Sequence, residues 1–252
     1  MPTADEMSGI TANATAPLPS VEELSIELAD RRKRLIGLVI VLAVAFTASV
    51  ITSVLRVGGI HFDYPDALIG YRYFNTLVHQ LIALTLLAYV VRQNRQNLAT
   101  LGAVFRATDV VYGVLLWILA DCCYRLAFPT ILSLCELLGW HRIPPYYPSA
   151  KLGLKLITYC FVVVNPVFEE MIVRAFLISE TLALTGSAAI AILFSVLLQT
   201  FYHLYQGVPY ALAVAVVFLI FSVYYARTHR IWPVIIAHFI MDLSFVLISR
   251  PG

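Results

Sequence analysis

The chain has 252 residues, 60% of them hydrophobic and only 13% charged, with a formal net charge of +2 and a mean hydropathy of +0.84. A soluble domain carries about a quarter charged residues, so folding this composition in water would leave large apolar patches exposed. The small net charge, with no basic stripe interleaved with aromatics, gives no case for a nucleic-acid partner.

Residues 1–30 are polar, contain Pro17 and Pro19, and bury too little apolar surface to fold alone. They read as a disordered tail, too long and too acidic for the n-region of a cleaved signal peptide. Asn13-Ala14-Thr15 matches a glycosylation sequon, a pattern common by chance. Arg31-Arg32-Lys33-Arg34 then abuts Leu35–Leu55, an uncharged run long enough to span a bilayer. That order argues for a cytoplasmic N-terminus.

Thr76–Val91 and Val110–Ala127 are the next apolar runs, the second holding Asp121 and Arg125 as a local pair. Ile131–Leu138 is too short to span and reads as an interfacial piece. Ile143–Pro148 must be irregular, because its prolines remove backbone donors and fix φ. From Leu152 the chain is apolar almost to its end and divides into Leu152–Val164, Val167–Leu184, Ser187–Tyr205, Val208–Ala226 and Ile231–Ile248. Asn165-Pro166, Thr185-Gly186, Gly207 with Pro209, and Arg227–Arg230 supply the breaks. The expected fold is all-α, a polytopic membrane protein of about eight transmembrane helices with a buried polar site. Residues 31–149 form the N-terminal helices and loops, and 150–250 form the membrane core. With eight spans the basic residues, Arg31–Arg34 included, divide evenly between the two sides, so sidedness rests on the first helix. Cys122, Cys123, Cys135 and Cys160 form no C-x-x-C pair and read as small structural hydrophobes.

Ionisable groups within a bilayer are costly, and function or a partner is their usual reason. The set after Leu152 is Glu169, Glu170, Arg174, Glu180, His203, His238 and Asp242, with Gln199 as a neutral companion. Glu170 and Arg174 stand four apart with the carboxylate first, the favoured order for an intrahelical pair. Glu169 lies about 100° from Glu170 and about 140° from Arg174 around an α-helix, so the pair does not consume it. Gln199 and His203, and His238 and Asp242, repeat the four-residue spacing on two further helices.

Each has a plainer explanation. Glu170–Arg174 serves as a structural clamp, a single histidine as a hydrogen-bonded core residue, and Glu180 as an interfacial group near a helix end. Glu169, His203, His238 and Asp242 together are harder to dismiss, since each costs roughly 2.5–3.5 kcal/mol on insertion scales. No H-E-x-x-H, G-x-S-x-G or glycine-rich phosphate loop is present. A carboxylate, two imidazoles and an orienting carboxylate suit hydrolysis by activated water, a mixed N and O metal site, or a proton relay.

Glu169-Glu170-Met171-Ile172-Val173-Arg174 resembles the E-E-x-x-x-R signature of CAAX-type prenyl proteases and their bacterial relatives, the CPBP or abortive-infection (ABI) family of intramembrane endopeptidases. In order, Gln199–His203 resembles that family's F-x-x-x-H segment, and His238 with Asp242 its closing H-x-x-x-N or H-x-x-x-D motif. The resemblance covers residues 150–250 and implies that these form a catalytic core acting on a membrane-associated protein substrate, with a lipidated, CAAX-like one among the candidates. It implies that Glu169 and His203 activate water, that His238 and Asp242 form the oxyanion hole, and that Glu170 and Arg174 shape the site. It leaves both a divalent-metal and a metal-free glutamate mechanism open. The metal-free one is preferred, because no tight ligand cluster lies within any one helix.

Two departures stand out: Gln199 replaces phenylalanine, and Asp242 replaces the asparagine of the prenyl proteases. Gln199 is one turn before His203 and placed to bond the imidazole or the substrate backbone. An ionised Asp242 cannot donate to an oxyanion, so the expectation is that it holds His238 turned and protonated while His238 alone donates. Against the endopeptidase stand a proteolytically silent scaffold or immunity-type protein of the same family and a proton-coupled transporter. The transporter is disfavoured because the ionisable groups cluster in one half of the chain with no inverted repeat.

Overall fold

A computed structural model describes residues 20–60, 69–140 and 156–248, and among these there is no strand. In chain order the helices are α1 (Val21–Val57), α2 (Ile69–Gln93), α3 (Thr108–Leu137) and α4 (Leu156–Glu169). A π-helical segment (Glu170–Phe176) follows, then α5 (Leu177–Thr185), α6 (Ala188–His203), α7 (Val208–Thr228) and α8 (Trp232–Ile248). Six stretches are long and apolar enough to cross a membrane, Leu156–Thr185 counting as one, and Trp232–Leu247 is a shorter apolar helix. The protein is an all-α, multi-pass integral membrane protein, and the expected count of about eight roughly fits.

The division of the chain differs at three places. Asn165-Pro166 is not a break: α4, the π segment and α5 run on without interruption, with Pro166 inside α4. Proline there forfeits one ladder bond, but Asn165, Pro166, Phe168 and Glu169 are all buried, so packing on both flanks carries the helix through. Ile131–Leu138 is no separate interfacial piece but the continuation of α3 past Pro129, up to Leu137. The polar stretch before Arg31 is helical from Val21 onward. Residues 1–19, with the sequon, and the proline-rich Ile143–Pro148 lie outside the described residues.

Burial inverts the order of a soluble protein. Val39, Leu81, Leu115 and Leu193 are exposed, whereas Glu170, Arg174 and Gln199 are fully enclosed. The outer faces suit lipid, and the polar groups face the bundle interior. α3 packs against α7 and α8, α6 against α7, α5 and α1, and α4 against α2 and α8. Close approach uses small residues, as is usual where lipid supplies no hydrophobic drive between helices. A Cβ on Gly113 of α3 would stand 2.7 Å from the Ile236 side chain on α8, and one on Gly37 would stand 2.7 Å from Val90 Cγ1.

At the membrane edge the basic cluster before the first apolar run is spent on helix ends. Arg31 donates to the Leu184 carbonyl at 2.7 Å, and Lys33 to the Gln93 carbonyl. These cap the C-termini of α5 and α2, where cations are favoured. Arg34 pairs with Glu180 at 3.4 Å; Glu180, expected at the interface, is completely buried. On the same side, Ile231 N donates to Gly102 O and Trp232 Nε1 to Ala103 O. Gly102 has φ +75°, and a Cβ there would lie 1.9 Å from the His229 carbonyl oxygen. This lock fixes the start of α8, the helix that carries His238.

Candidate active site

The π segment is the scaffold of the site. Its i→i+5 winding takes carbonyls out of the α ladder, and neighbouring helices supply donors to them. Ser195 of α6 donates to the Val173 carbonyl at 3.0 Å, and Tyr225 of α7 donates to the Ala175 carbonyl at 3.2 Å. Within this segment Arg174 Nε lies 3.2 Å from Glu170 Oε2, both side chains having no solvent exposure. The guanidinium makes no well-aligned hydrogen bond. Its charge is met by Glu170 and by the ring faces of Phe218 at 5.1 Å and Phe221 at 5.9 Å.

His238 enters from α8 and is enclosed by carboxylates. Its Nδ1 is 2.7 Å from Glu170 Oε1. Its Nε2 is 3.6 Å from Asp242 Oδ1 and 3.9 Å from Glu169 Oε2. A carboxylate at hydrogen-bond distance makes Nδ1 the N–H donor, so Glu170, rather than Asp242, makes the short contact that turns the ring. Asp242 instead accepts from Asn165 Nδ2 at 3.2 Å.

α6 closes the other wall. Gln199 Nε2 donates to Glu169 Oε2 at 3.0 Å. His203 Nδ1 donates to the Gln199 carbonyl at 3.0 Å, which leaves Nε2 as the lone-pair nitrogen of a neutral ring. Gln199 therefore serves Glu169 with its side chain and His203 with its backbone, rather than reaching the imidazole with its amide. Tyr202 stacks on Phe46 and tilts against His203, with its hydroxyl close to Glu169 and Gln199. Glu169 in turn lies near enough to both histidines for their charges to interact.

All seven expected site residues thus belong to one cluster at the meeting of α4, the π segment, α6 and α8. Glu169, His203 and His238 are buried, and Asp242, with a 27% exposed side chain, is the most accessible member. Three residues of the cluster were not anticipated: Asn165, Gln80 and Tyr202. Gln80 was legible as a polar residue in the apolar run Thr76–Val91; Asn165 was taken only as punctuation before Pro166.

Metal-ligand atoms do gather across helices. Glu169, Glu170 and His238 each present one, all within 4.8 Å of one another. Both Glu170 and the His238 Nδ1 already have partners in Arg174 and in each other. Glu169 and His238 Nε2 are the less committed donors. The four cysteines are free, and none belongs to the ligand group found among the described residues.

Residues 151–244 match the sequence model of the family described as Rce1-like, Type II CAAX prenyl endopeptidase Rce1-like. Searches of curated proteins and of solved structures return no match. The matched segment holds every motif of the cluster, from Glu169 to Asp242, on helices that bring them together. Over this segment the chain is similar to the Rce1-like, CAAX-type endopeptidases, a match that supports the resemblance to the CPBP family.

Proposed function

We propose that the protein is an intramembrane endopeptidase that hydrolyses a peptide bond of a membrane-associated protein, using water activated by Glu169 and His203. The observation that carries this reading is the 3.9 Å gap between Glu169 Oε2 and His238 Nε2. It is too long for a direct hydrogen bond, and polar groups at such a separation suit a bridging oxygen. A water held there faces a carboxylate on one side and an imidazole on the other.

In this reading Glu169 takes a proton from water, whose oxygen attacks the carbonyl carbon of the scissile bond. His238, protonated on both nitrogens among its three carboxylates in this reading, donates from Nε2–H to the developing oxyanion. The proton then passes to the leaving nitrogen as the C–N bond breaks, yielding a carboxylic acid and an amine. His203, with Nε2 unprotonated, is the second base. Gln199 fixes the Glu169 carboxylate, and Glu170 with Arg174 holds the His238 ring. The work is assigned without a resident metal, since two of the three nearby ligand groups are already bonded to one another. Turnover should survive a divalent-ion chelator; loss restored by a divalent cation would reassign Glu169, Glu170 and His238 as ligands.

A peptide assay on purified protein in detergent tests the proposal. Glu169→Gln and His203→Ala should each abolish turnover while the variants remain folded by thermal denaturation. One observation favours the alternative, a proteolytically silent scaffold or immunity-type protein: Asp242 stands where the prenyl proteases have asparagine. An unchanged physiological effect in both variants would select it.

The N-terminus is assigned to the cytoplasm. Joining α4 and α5 in one span puts Arg227 and Arg230 on the same side as Arg31–Arg34, which breaks the tie of an eight-span scheme in the direction of the positive-inside rule.

A further inference from the structure

A chain of amides crosses from α2 to the site, and the reading above makes no use of it. Gln80 Nε2 donates to Asn165 Oδ1 at 2.7 Å, and Asn165 Nδ2 donates to Asp242 Oδ2 at 3.2 Å. The other oxygen of Asp242 lies 3.6 Å from His238 Nε2. Gln80 and Asn165 are both buried. The direction of the chain is dictated by chemistry. A carboxylate only accepts, so the Asn165 amide must present its nitrogen to Asp242 and its oxygen to Gln80.

We infer that Asn165, oriented by Gln80, is a positioning residue that holds Asp242 as the acceptor facing His238, so that an amide and a carboxylate act here as a pair. The inference rests on the endopeptidase reading for its catalytic consequence. It accounts for how Asp242 is accommodated. Without a donor on its far oxygen, that carboxylate would sit half-buried beside Glu169 and Glu170 with only His238 to stabilise it. The amide nitrogen of Asn165 supplies the missing partner. Pro166 follows directly, and the unbroken helix through it sets Asn165 on the buried face of α4.

The pairing makes a reciprocal test possible. Asn165→Asp sets two carboxylates against each other. Adding Asp242→Asn restores one amide and one acid, with Gln80 still donating to residue 165. The test compares wild type, Asn165→Asp, Asp242→Asn and the double variant, with Asn165→Leu as a check on packing. It reads kcat and KM on a lipid-linked peptide and the 15N signals of the His238 ring in detergent micelles. Asn165→Asp should lower kcat by about tenfold or more with little change in KM, and the double variant should recover to within about threefold of Asp242→Asn. The His238 ring signals should shift in Asn165→Asp and move back in the double variant.

An Asn165→Asp or Asn165→Leu protein with wild-type kcat overturns the inference while leaving the peptidase reading intact. So does a double variant no better than Asn165→Asp. Wild-type protein without turnover overturns the peptidase reading and the catalytic role drawn here; in that case unshifted His238 signals in Asn165→Asp would also overturn the contact itself.

Discussion

At the scale of single residues, the site works by giving every charge a neighbour. His238 stands among Glu169, Glu170 and Asp242, and Arg174 sits behind Glu170. Removing one member leaves another buried and uncompensated, at a cost of about 3–5 kcal/mol for a fully enclosed pair. Arg174→Met should therefore lower the thermal midpoint in detergent more than Glu169→Gln does, because Glu169 retains its Gln199 contact in amide form. At Asp242 the expected outcomes diverge. Asp242→Asn should stay active, since the amide still offers an acceptor to Asn165, whereas Asp242→Ala should lose turnover; improved activity in the alanine variant would refute an orienting role. Glu169, His203, His238 and Asp242 were legible in the sequence because ionisable groups stand out in apolar runs. Gln80 stands out as a polar residue in an apolar run, but neither it nor Asn165 carries a charge or a period that ties it to the site. The spacing shows which groups share a face, yet not which atoms meet, so the Gln199 amide is expected at the His203 imidazole or the substrate backbone, whereas it bonds Glu169.

At the scale of elements, the decisive feature is the π turn at Glu170–Phe176. It adds winding where Glu169, Glu170 and Arg174 must point inward together, and it depends on outside donors for its carbonyls. Ser195→Ala, which removes the donor to Val173 O, should cost about 1 kcal/mol of stability. It should also lower kcat, since Glu169 and Glu170 sit at the start of the turn; unaltered kcat would detach the turn from the chemistry. The sequence holds no mark of this π turn. Its apolar period is that of any buried helix, and Asn165-Pro166 reads as a stop because propensity ignores tertiary packing. Run length alone likewise set Ile131–Leu138 apart, where α3 continues past Pro129. The helix–helix contacts carry a second expectation. Gly113→Ala must displace Ile236, since its Cβ would arrive at 2.7 Å. Such overpacking costs about 1–3 kcal/mol and should be read as a lower thermal midpoint together with lower turnover, because α8 carries His238.

At the scale of the whole molecule, Arg31 bonded to the Leu184 carbonyl places the end of α5 beside the start of the first apolar run. That contact favours Thr185 on the same side as the start of the first apolar run, whereas a break at Asn165-Pro166 would put it on the opposite side. In a cysteine-free background, Thr185→Cys and Thr228→Cys should react with an impermeant thiol reagent only after the membrane is opened, and Ile60→Cys before. Reaction of Thr185→Cys from outside would restore the break at Asn165-Pro166. The all-helical, multi-pass character was legible from composition and run length alone, whereas the continuity of the helix through Asn165-Pro166 was not, because packing overrides the proline.

The central claim is that Glu169 activates the attacking water in a cluster assembled by four chain segments. The most direct measurement is turnover of a lipid-linked peptide by purified wild-type protein and Glu169→Gln, at matched thermal stability. Wild-type protein should cleave the peptide, and the variant should lose at least about a hundredfold in kcat, the scale of an essential general base. A Glu169→Gln protein that cleaves as fast as the wild type would contradict that claim.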